Sequence, residues 1–313
     1  MRLYAKKRRS VKAATIDVVG VGENSLDFLA VGGGWPPAGG KGTLDEFLVA
    51  PGGQVATALV ACARLGLRAH YVGVFGDDRW GAEIRRGLEA EEVEVTAVER
   101  AGVSSRTAVV LVDGTGQRTI VERRDPRLAM HETELPVAVI QSSRLLLIDA
   151  TDVPAAMRAA RAAEEAGTPV ILDVERRVAE IDRLLASADV VVAPAAFVMD
   201  FGRCSNLAEG LAALETRFAP SLVVATLGAA GSLARCRGTE IRTPAPAVVV
   251  RDTTGAGDAF RGGLAAAWLR AGDEAEVGTL LEYANAVAAL NCRALGAQTA
   301  LPAPAEVDRL RCM

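Results

Sequence analysis

Strand-length apolar runs alternate with longer helical stretches along most of this chain, and no other feature constrains its fold as tightly. The strand-like runs fall at residues 16–21, 70–75, 145–148, 170–173, 190–193 and 222–226. Helical stretches fall at 54–65, 80–91, 154–166 and 206–218, and two long ones, 257–270 and 274 to about 293, close the last third. The runs are continuous Val, Leu and Ile instead of alternating apolar and polar, which is what strands buried on both faces require. The pattern therefore predicts an α/β fold, a mainly parallel central sheet with helices on its faces. Two segments break the alternation. Residues 32–53 are rich in Gly and Pro and read as an irregular, mobile flap. Residues 107–122 read as a hairpin turning at Asp113-Gly114-Thr115-Gly116-Gln117. Together they predict a small β-lid from segments at about 24–51 and 103–124. With no internal repeat and no Pro/Ser linker, residues 13–313 read as one domain carrying that lid.

Charge excludes several function classes. Arg2, Lys6, Lys7, Arg8, Arg9 and Lys12 precede Ala13 with no acid among them, leaving 29 bases against 39 acids in the remainder. Such an acidic body lacks the clustered cations that phosphate-backbone binding needs, so nucleic acid is not an expected partner. The basic leader, residues 1–12, is expected to be flexible and dispensable for catalysis. No apolar core of signal-peptide type follows it, and no apolar run is long enough to span a membrane. Cys62, Cys204, Cys236, Cys292 and Cys312 are odd in number and contain no Cys-x-x-Cys pair, which favours reduced thiols and a cytoplasmic location. His70 and His131 are the only histidines, so zinc chemistry and histidine-based nucleophilic catalysis lose their usual residue.

Three glycine patterns compete for a phosphate. Gly20-Val-Gly22-Glu-Asn-Ser25 follows a strand, but Ser25 replaces the third glycine and Asp27-Phe-Leu continues as strand, so a dinucleotide fingerprint is rejected. Gly40-Lys41 ends like a P-loop, yet Gly42 stands where a magnesium-binding hydroxyl belongs. The third is Asp252-Thr253-Thr254-Gly255-Ala256-Gly257-Asp258-Ala259-Phe260, where a strand ends, small residues turn and a helix begins near Gly257. Unpaired amides at a helix start form an anion site, and glycine lets a phosphate approach the backbone. Asp258 in the first helical turn either serves only the helix dipole or accepts a proton from an alcohol attacking a γ-phosphorus.

That segment resembles the C-terminal signature of the ribokinase-like, or PfkB, family of carbohydrate kinases. Pro51-Gly52-Gly53-Gln54-Val-Ala-Thr57, with Leu65-Gly66 and Val72-Gly73-Val-Phe-Gly76-Asp77-Asp78, is similar to the family's N-terminal glycine signature. Thr226-Leu-Gly228-Ala-Ala-Gly231 and Ala284-Asn285-Ala286 through Gly296-Ala297-Gln298 extend the match to most of the chain. The resemblance implies a three-layer ribokinase-like fold with a β-lid, sugar between lid and core, and ATP with Mg²⁺ over the C-terminal half. By position it implies Asp258 as general base, with Gly255, Ala256 and Gly257 as the anion hole. It implies Asp27, Gly52, Gly53, Gln54 and Thr57 as the sugar side, and Thr226, Gly228, Gly231 and Asn285 as the ATP side. Asp252, Thr254 and Gly296 match the family's monovalent-cation (K⁺) loop, and lid strands of this family often pair two subunits.

The departures are informative. Thr57 stands where the family carries Asn, which removes one donor–acceptor pair from sugar recognition. The family's Asn-x-x-Glu is absent, its places taken by Ala195 and Val198, and Ala300 replaces a frequent hydroxyl ligand of the cation loop. Phosphorylation of a sugar hydroxyl by ATP is the leading expectation. A nucleoside kinase, in which Phe28, Trp35 and Phe47 would either stack on a base or pack the lid, is the second. A non-catalytic sugar or nucleotide sensor is the third. Arg106, Arg118, Arg123 and Arg124 around the lid hairpin read as solvated strand-edge charges, with contact to an anionic substrate as the other reading.

Overall fold

The computed structural model describes residues 1–4, 15–272 and 275–312. Its strands are β1 (Ile16–Val21), β2 (Ser25–Val31), β3 (Glu46–Gly52), β4 (Ala69–Gly76), β5 (Glu94–Arg100), β6 (Thr107–Val112), β7 (Arg118–Arg123), β8 (Ser143–Asp149), β9 (Val170–Asp173), β10 (Val190–Pro194), β11 (Leu222–Thr226), β12 (Ser232–Cys236) and β13 (Thr239–Thr243). Its helices are α1 (Gln54–Arg64), α2 (Arg79–Ala90), α3 (Val137–Gln141), α4 (Val153–Ala166), α5 (Ile181–Ser187), α6 (Ala195–Gly202), α7 (Leu207–Phe218), α8 (Ala256–Ala271), α9 (Val277–Asn291) and α10 (Pro304–Arg311).

The main sheet has nine strands in the order β13-β12-β11-β10-β9-β8-β1-β4-β5, parallel from β11 to β5, with β12 and β13 antiparallel at one edge. Continuous apolar strands feed two cores at once. Val18, Leu145, Leu147, Val190 and Val192 face a core shared with α1, α2, α8, α9 and α10. Val19, Val21, Leu146, Ile148 and Val191 face one shared with α4, α5, α6 and α7. The result is the expected three layers. A second sheet, ordered β3-β2-β6-β7, forms the lid.

Two expectations are corrected. Residues 32–53 are not all flap, because Glu46–Gly52 pairs antiparallel with the whole of β2. The Gly and Pro density before residue 46 obscured an apolar Phe47-Leu48-Val49 run. The leader is not free of the body at its start. Leu3 is fully buried and its amide donates to the Ala275 carbonyl at 2.8 Å, while the Val277 amide donates to the Met1 carbonyl at 2.9 Å. Lys6, Lys7, Arg8, Arg9, Lys12 and Glu274 lie outside the described residues. All five cysteines are free thiols. His70 bridges Glu94 and Thr96 on the neighbouring strand at 3.1 and 2.8 Å, a structural role. Among the described residues no helix is long and apolar enough to cross a membrane.

Candidate functional site

Parallel strands deliver their carboxyl ends to one edge of the sheet, where ligand crevices of open α/β folds form. Here that edge and the inner face of the lid enclose a cleft of about 340 Å³. Its core wall carries Glu23 after β1, Asp173 at the end of β9, and Gly255, Gly257 and Asp258 at the start of α8. Its lid wall carries Asp27 on β2, Ala108 and Val110 on β6, and Arg118 and Ile120 on β7.

The loop before α8 is tied from beneath by Asp252. Asp252 is fully buried; its Oδ1 accepts from the Thr254 amide at 2.9 Å and hydroxyl at 2.7 Å, and its Oδ2 accepts from the Gly296 amide at 2.9 Å. Gly255 has φ of 74°, and a Cβ there would lie 2.6 Å from the Ala297 carbonyl oxygen, so only glycine turns this corner. Gly255 and Gly257 border the cleft beside Asp258, whereas the Ala256 amide donates to the Thr253 carbonyl at 3.3 Å. The lid is tied to the same loop: Arg118 Nη1 donates to the carbonyl and hydroxyl of Thr253, both at 2.9 Å, and Arg251 pairs with Glu46.

Four cleft carboxylates are pushed toward their neutral forms, Asp173 among them by burial in the interior. Burial raises Asp258 to about 7, opposed by Arg261 and reinforced by Glu175. Burial also raises Asp27 to about 6, against a 2.7 Å hydrogen bond from Ser25 Oγ. Glu23 rises to about 8 by burial, although Arg124 sits 2.8 Å away. Carboxyls poised near neutrality in a cleft are a signature of proton-transfer sites.

Asp27, Gly53, Gln54, Gly255, Gly257 and Asp258 all border the cleft. Ala256 opens α8 between its two glycines. Gly52 stands behind Asp27, where a Cβ would come 2.1 Å from its carboxylate oxygen. Thr57 is the exception on the sugar side. It is fully buried and its hydroxyl accepts from Gln298 Nε2 at 3.2 Å, so it ties α1 to the C-terminal loop and does not line the cleft. Thr226 ends β11, two strands from Asp173 along the same edge, with Gly228 and Gly231 in the turn beyond. Asn285 is buried under that turn, its amide donating to Ser232 Oγ at 3.1 Å and the Thr243 carbonyl at 3.3 Å. Val198 is buried in the core, so the turn after β10 contributes packing where the resemblance led one to look for Asn-x-x-Glu.

The lid arginines are not simply solvated edge charges. All four border the cleft; Arg118 holds Thr253, and Arg124 pairs with Glu23 and with Glu122 at 2.7 Å. The proposed stacking aromatics are placed otherwise. Phe28 packs edge-on against Trp80 at 5.4 Å, and Trp35 and Phe47 are exposed away from the cleft lining. Sequence reasoning missed Arg261, Asp173 and Glu23. The first two form a buried pair at 2.7 Å beside Asp258.

Among the described residues no group of three or more His, Cys, Asp or Glu is arranged to hold a metal ion. Both oxygens of Asp252 already accept from Thr254 and Gly296, and Ala300 offers no side-chain oxygen, so a cation at that loop would depend on backbone carbonyls.

Comparison with known proteins bears on this site directly. The pfkB family carbohydrate kinase profile matches residues 15–304. The chain is 33% identical to a fructokinase of Klebsiella pneumoniae over 86% of its own length and 94% of that protein. It is 31% identical to an ATP-dependent ribose-1-phosphate kinase of Halopiger xanaduensis, covering 86% of this chain and 90% of the relative. The structure of Arabidopsis thaliana ribokinase complexed with ribose and ATP superposes with a TM-score of 0.79 at 23% identity, covering 95% of this chain and 99% of that one, a likeness of fold. A three-layer α/β core with a second small sheet and a profile match over nearly the whole chain make this protein a member of the pfkB family of carbohydrate kinases, phosphotransferases with an alcohol as acceptor.

Proposed function

We propose that the enzyme transfers the γ-phosphoryl group of ATP to a hydroxyl of a sugar held between Asp27 on the lid and Asp258 on the core. The observation that carries this reading is the convergence of Asp27, Asp258, Gly255 and Gly257 on one cleft. Asp27 accepts hydrogen bonds from sugar hydroxyls, with Gly52 leaving its carboxylate room. Asp258 takes the proton of the attacking hydroxyl at its carboxylate oxygen. The amides of Gly255 and Gly257, at the positive end of α8, stabilise charge on the phosphoryl oxygens, while that of Ala256 is held by the Thr253 carbonyl. Mg²⁺ arriving with the triphosphate supplies further charge neutralisation, since oxygen ligands and retained waters suffice for it. Thr226, Gly228 and Gly231 form the neighbouring surface along which the nucleotide lies, with Asn285 supporting it from below. Arg118, fastened to Thr253, keeps the lid against the anion loop and water out of the cleft.

A nucleoside acceptor is less well supported, because Phe28 is engaged with Trp80 and neither Trp35 nor Phe47 lines the cleft. The outer lid face, exposing Phe47, Val109 and Val121, supports pairing with a second copy, measurable by sedimentation. Coupled ADP release over ketoses, aldoses, sugar acids and nucleosides tests the main reading. Sugar-dependent turnover abolished by Asp258→Asn is expected. Preference for nucleosides would overturn the sugar assignment, and binding without turnover on any acceptor would favour a sensor.

A further inference from the structure

Arg261 lies three residues beyond Asp258, close to one helical turn, so the two side chains share a face of α8. It is 5% exposed. A guanidinium in the interior persists only where its charge and its donors are met. Arg261 has two carboxylate partners: Nη2 stands 2.7 Å from Asp173 Oδ2 and also contacts Asp258 Oδ1. One side chain thus joins the last residue of β9 to the first turn of α8. Gly257 leaves it space, because a Cβ there would lie 3.3 Å from Nη1.

The groups facing Asp258 come from several elements. Arg261 on α8 and Arg118 on β7 favour its ionised form, whereas Glu175 beyond β9 and Asp27 on β2 oppose it. Of the two cations Arg261 is the closer and stronger, and arginine stays charged at any working pH. We propose that Arg261, anchored by Asp173, is a positioning residue for phosphoryl transfer: it fixes the orientation of the Asp258 carboxylate and keeps it sufficiently ionised at neutral pH to take a proton. The inference rests on Asp258 being the base. Both contacts come from one nitrogen, Nη2, placed by a rigid planar guanidinium, whereas lysine supplies the charge on a flexible stem without that placement.

The two contributions separate in a pH series of kcat and KM on Arg261→Gln and Arg261→Lys. Arg261→Gln is expected to move the acid limb of kcat to higher pH by about one unit, a roughly tenfold loss below the limb, with the sugar KM little changed. Arg261→Lys is expected to keep the limb and lose kcat through misplacement. Binding of a non-hydrolysable ATP analogue establishes that each variant is folded, and if Arg261→Gln is not, Arg261→Lys carries the test. An unmoved limb with unchanged kcat in folded Arg261→Gln, or wild-type kcat in Arg261→Lys where it alone folds, overturns the inference. If Asp258→Asn is inactive in those same assays, only the role of Arg261 has failed. If Asp258→Asn is fully active, the reading of the base has failed and this inference falls with it.

Discussion

Asp17, near the start of β1, and Asp258, at the start of α8, are both carboxylates beside arginine, yet the fold treats them in opposite ways. Asp17 is at the amino end of the sheet, where Arg68 and Arg144 reach it from solvent at 3.0 and 3.1 Å and hold its pKa well below the usual range. Glu134 is lowered to about 2 as well by its pair with Arg100, the last residue of β5, so the contrast is with the cleft and not with the whole carboxyl edge. In the cleft, burial outweighs the arginines and Asp258, Asp27 and Glu23 rise to between about 6 and about 8. The difference lies in the donors: Asp17 accepts from the Arg68 amide, two Arg68 guanidinium nitrogens and Arg144, which together outweigh its burial, whereas in the cleft burial outweighs the arginine contact at Asp258.

Stability should therefore depend on pH with opposite sign for the arginine-paired carboxylates and for those of the cleft. A depressed pKa adds stability that is present above the unfolded value and lost as pH falls through the folded one, which describes Asp17 and Glu134 in acid. A raised pKa favours the folded state at low pH, and that contribution is lost as pH climbs from the unfolded value through the folded one, between about 4 and about 8 for the cleft. The cleft acids work against stability in the range where a kinase operates, as functional sites commonly do.

Substitutions in the two groups should separate accordingly. The largest effect is expected from Asp258→Asn, with kcat down ~10³-fold, about 4 kcal/mol of barrier, and a melting temperature at mildly alkaline pH no lower than wild type. Gly52→Ala should follow, since its methyl would displace Asp27; a loss of ~10²-fold in kcat/KM for the sugar, with the ATP KM unchanged, is the outcome to look for in steady-state kinetics. Asp17→Asn should leave kcat untouched and cost about 1 kcal/mol, or roughly 2–4 °C of melting temperature; a kinetic defect there would break the division between the two groups. Smallest should be Thr57→Val, whose sugar KM is expected within about twofold of wild type at a cost near ~1 kcal/mol of stability.

Much of this arrangement is legible in the sequence. Continuous apolar runs mark the parallel strands, and 170–173 and 222–226 coincide with β9 and β11. The small-residue turn before Asp258 is legible as the start of α8, where Gly255 takes the left-handed corner. What escaped has physical reasons. β5 carries charges at both ends and only a short apolar middle, and β3 follows a Gly/Pro tract that masks it. Thr57 lies within a matching motif, but motif position does not reveal which way a helical side chain points. Arg261 sits in an Ala/Leu/Gly helix and acquires its role only when folding brings Asp173 from a distant strand to 2.7 Å.

The claim underlying all of this is that burial, tempered by Arg261, sets the proton affinity of Asp258 to suit a base at neutral pH. Carboxyl ¹³C NMR of aspartate-labelled enzyme, with the Asp258 signal assigned by its absence in Asp258→Asn, measures that affinity directly. A titration midpoint at about 7, coinciding with the acid limb of kcat, is the expected result. A midpoint near the ordinary aspartate value of about 4 would contradict it.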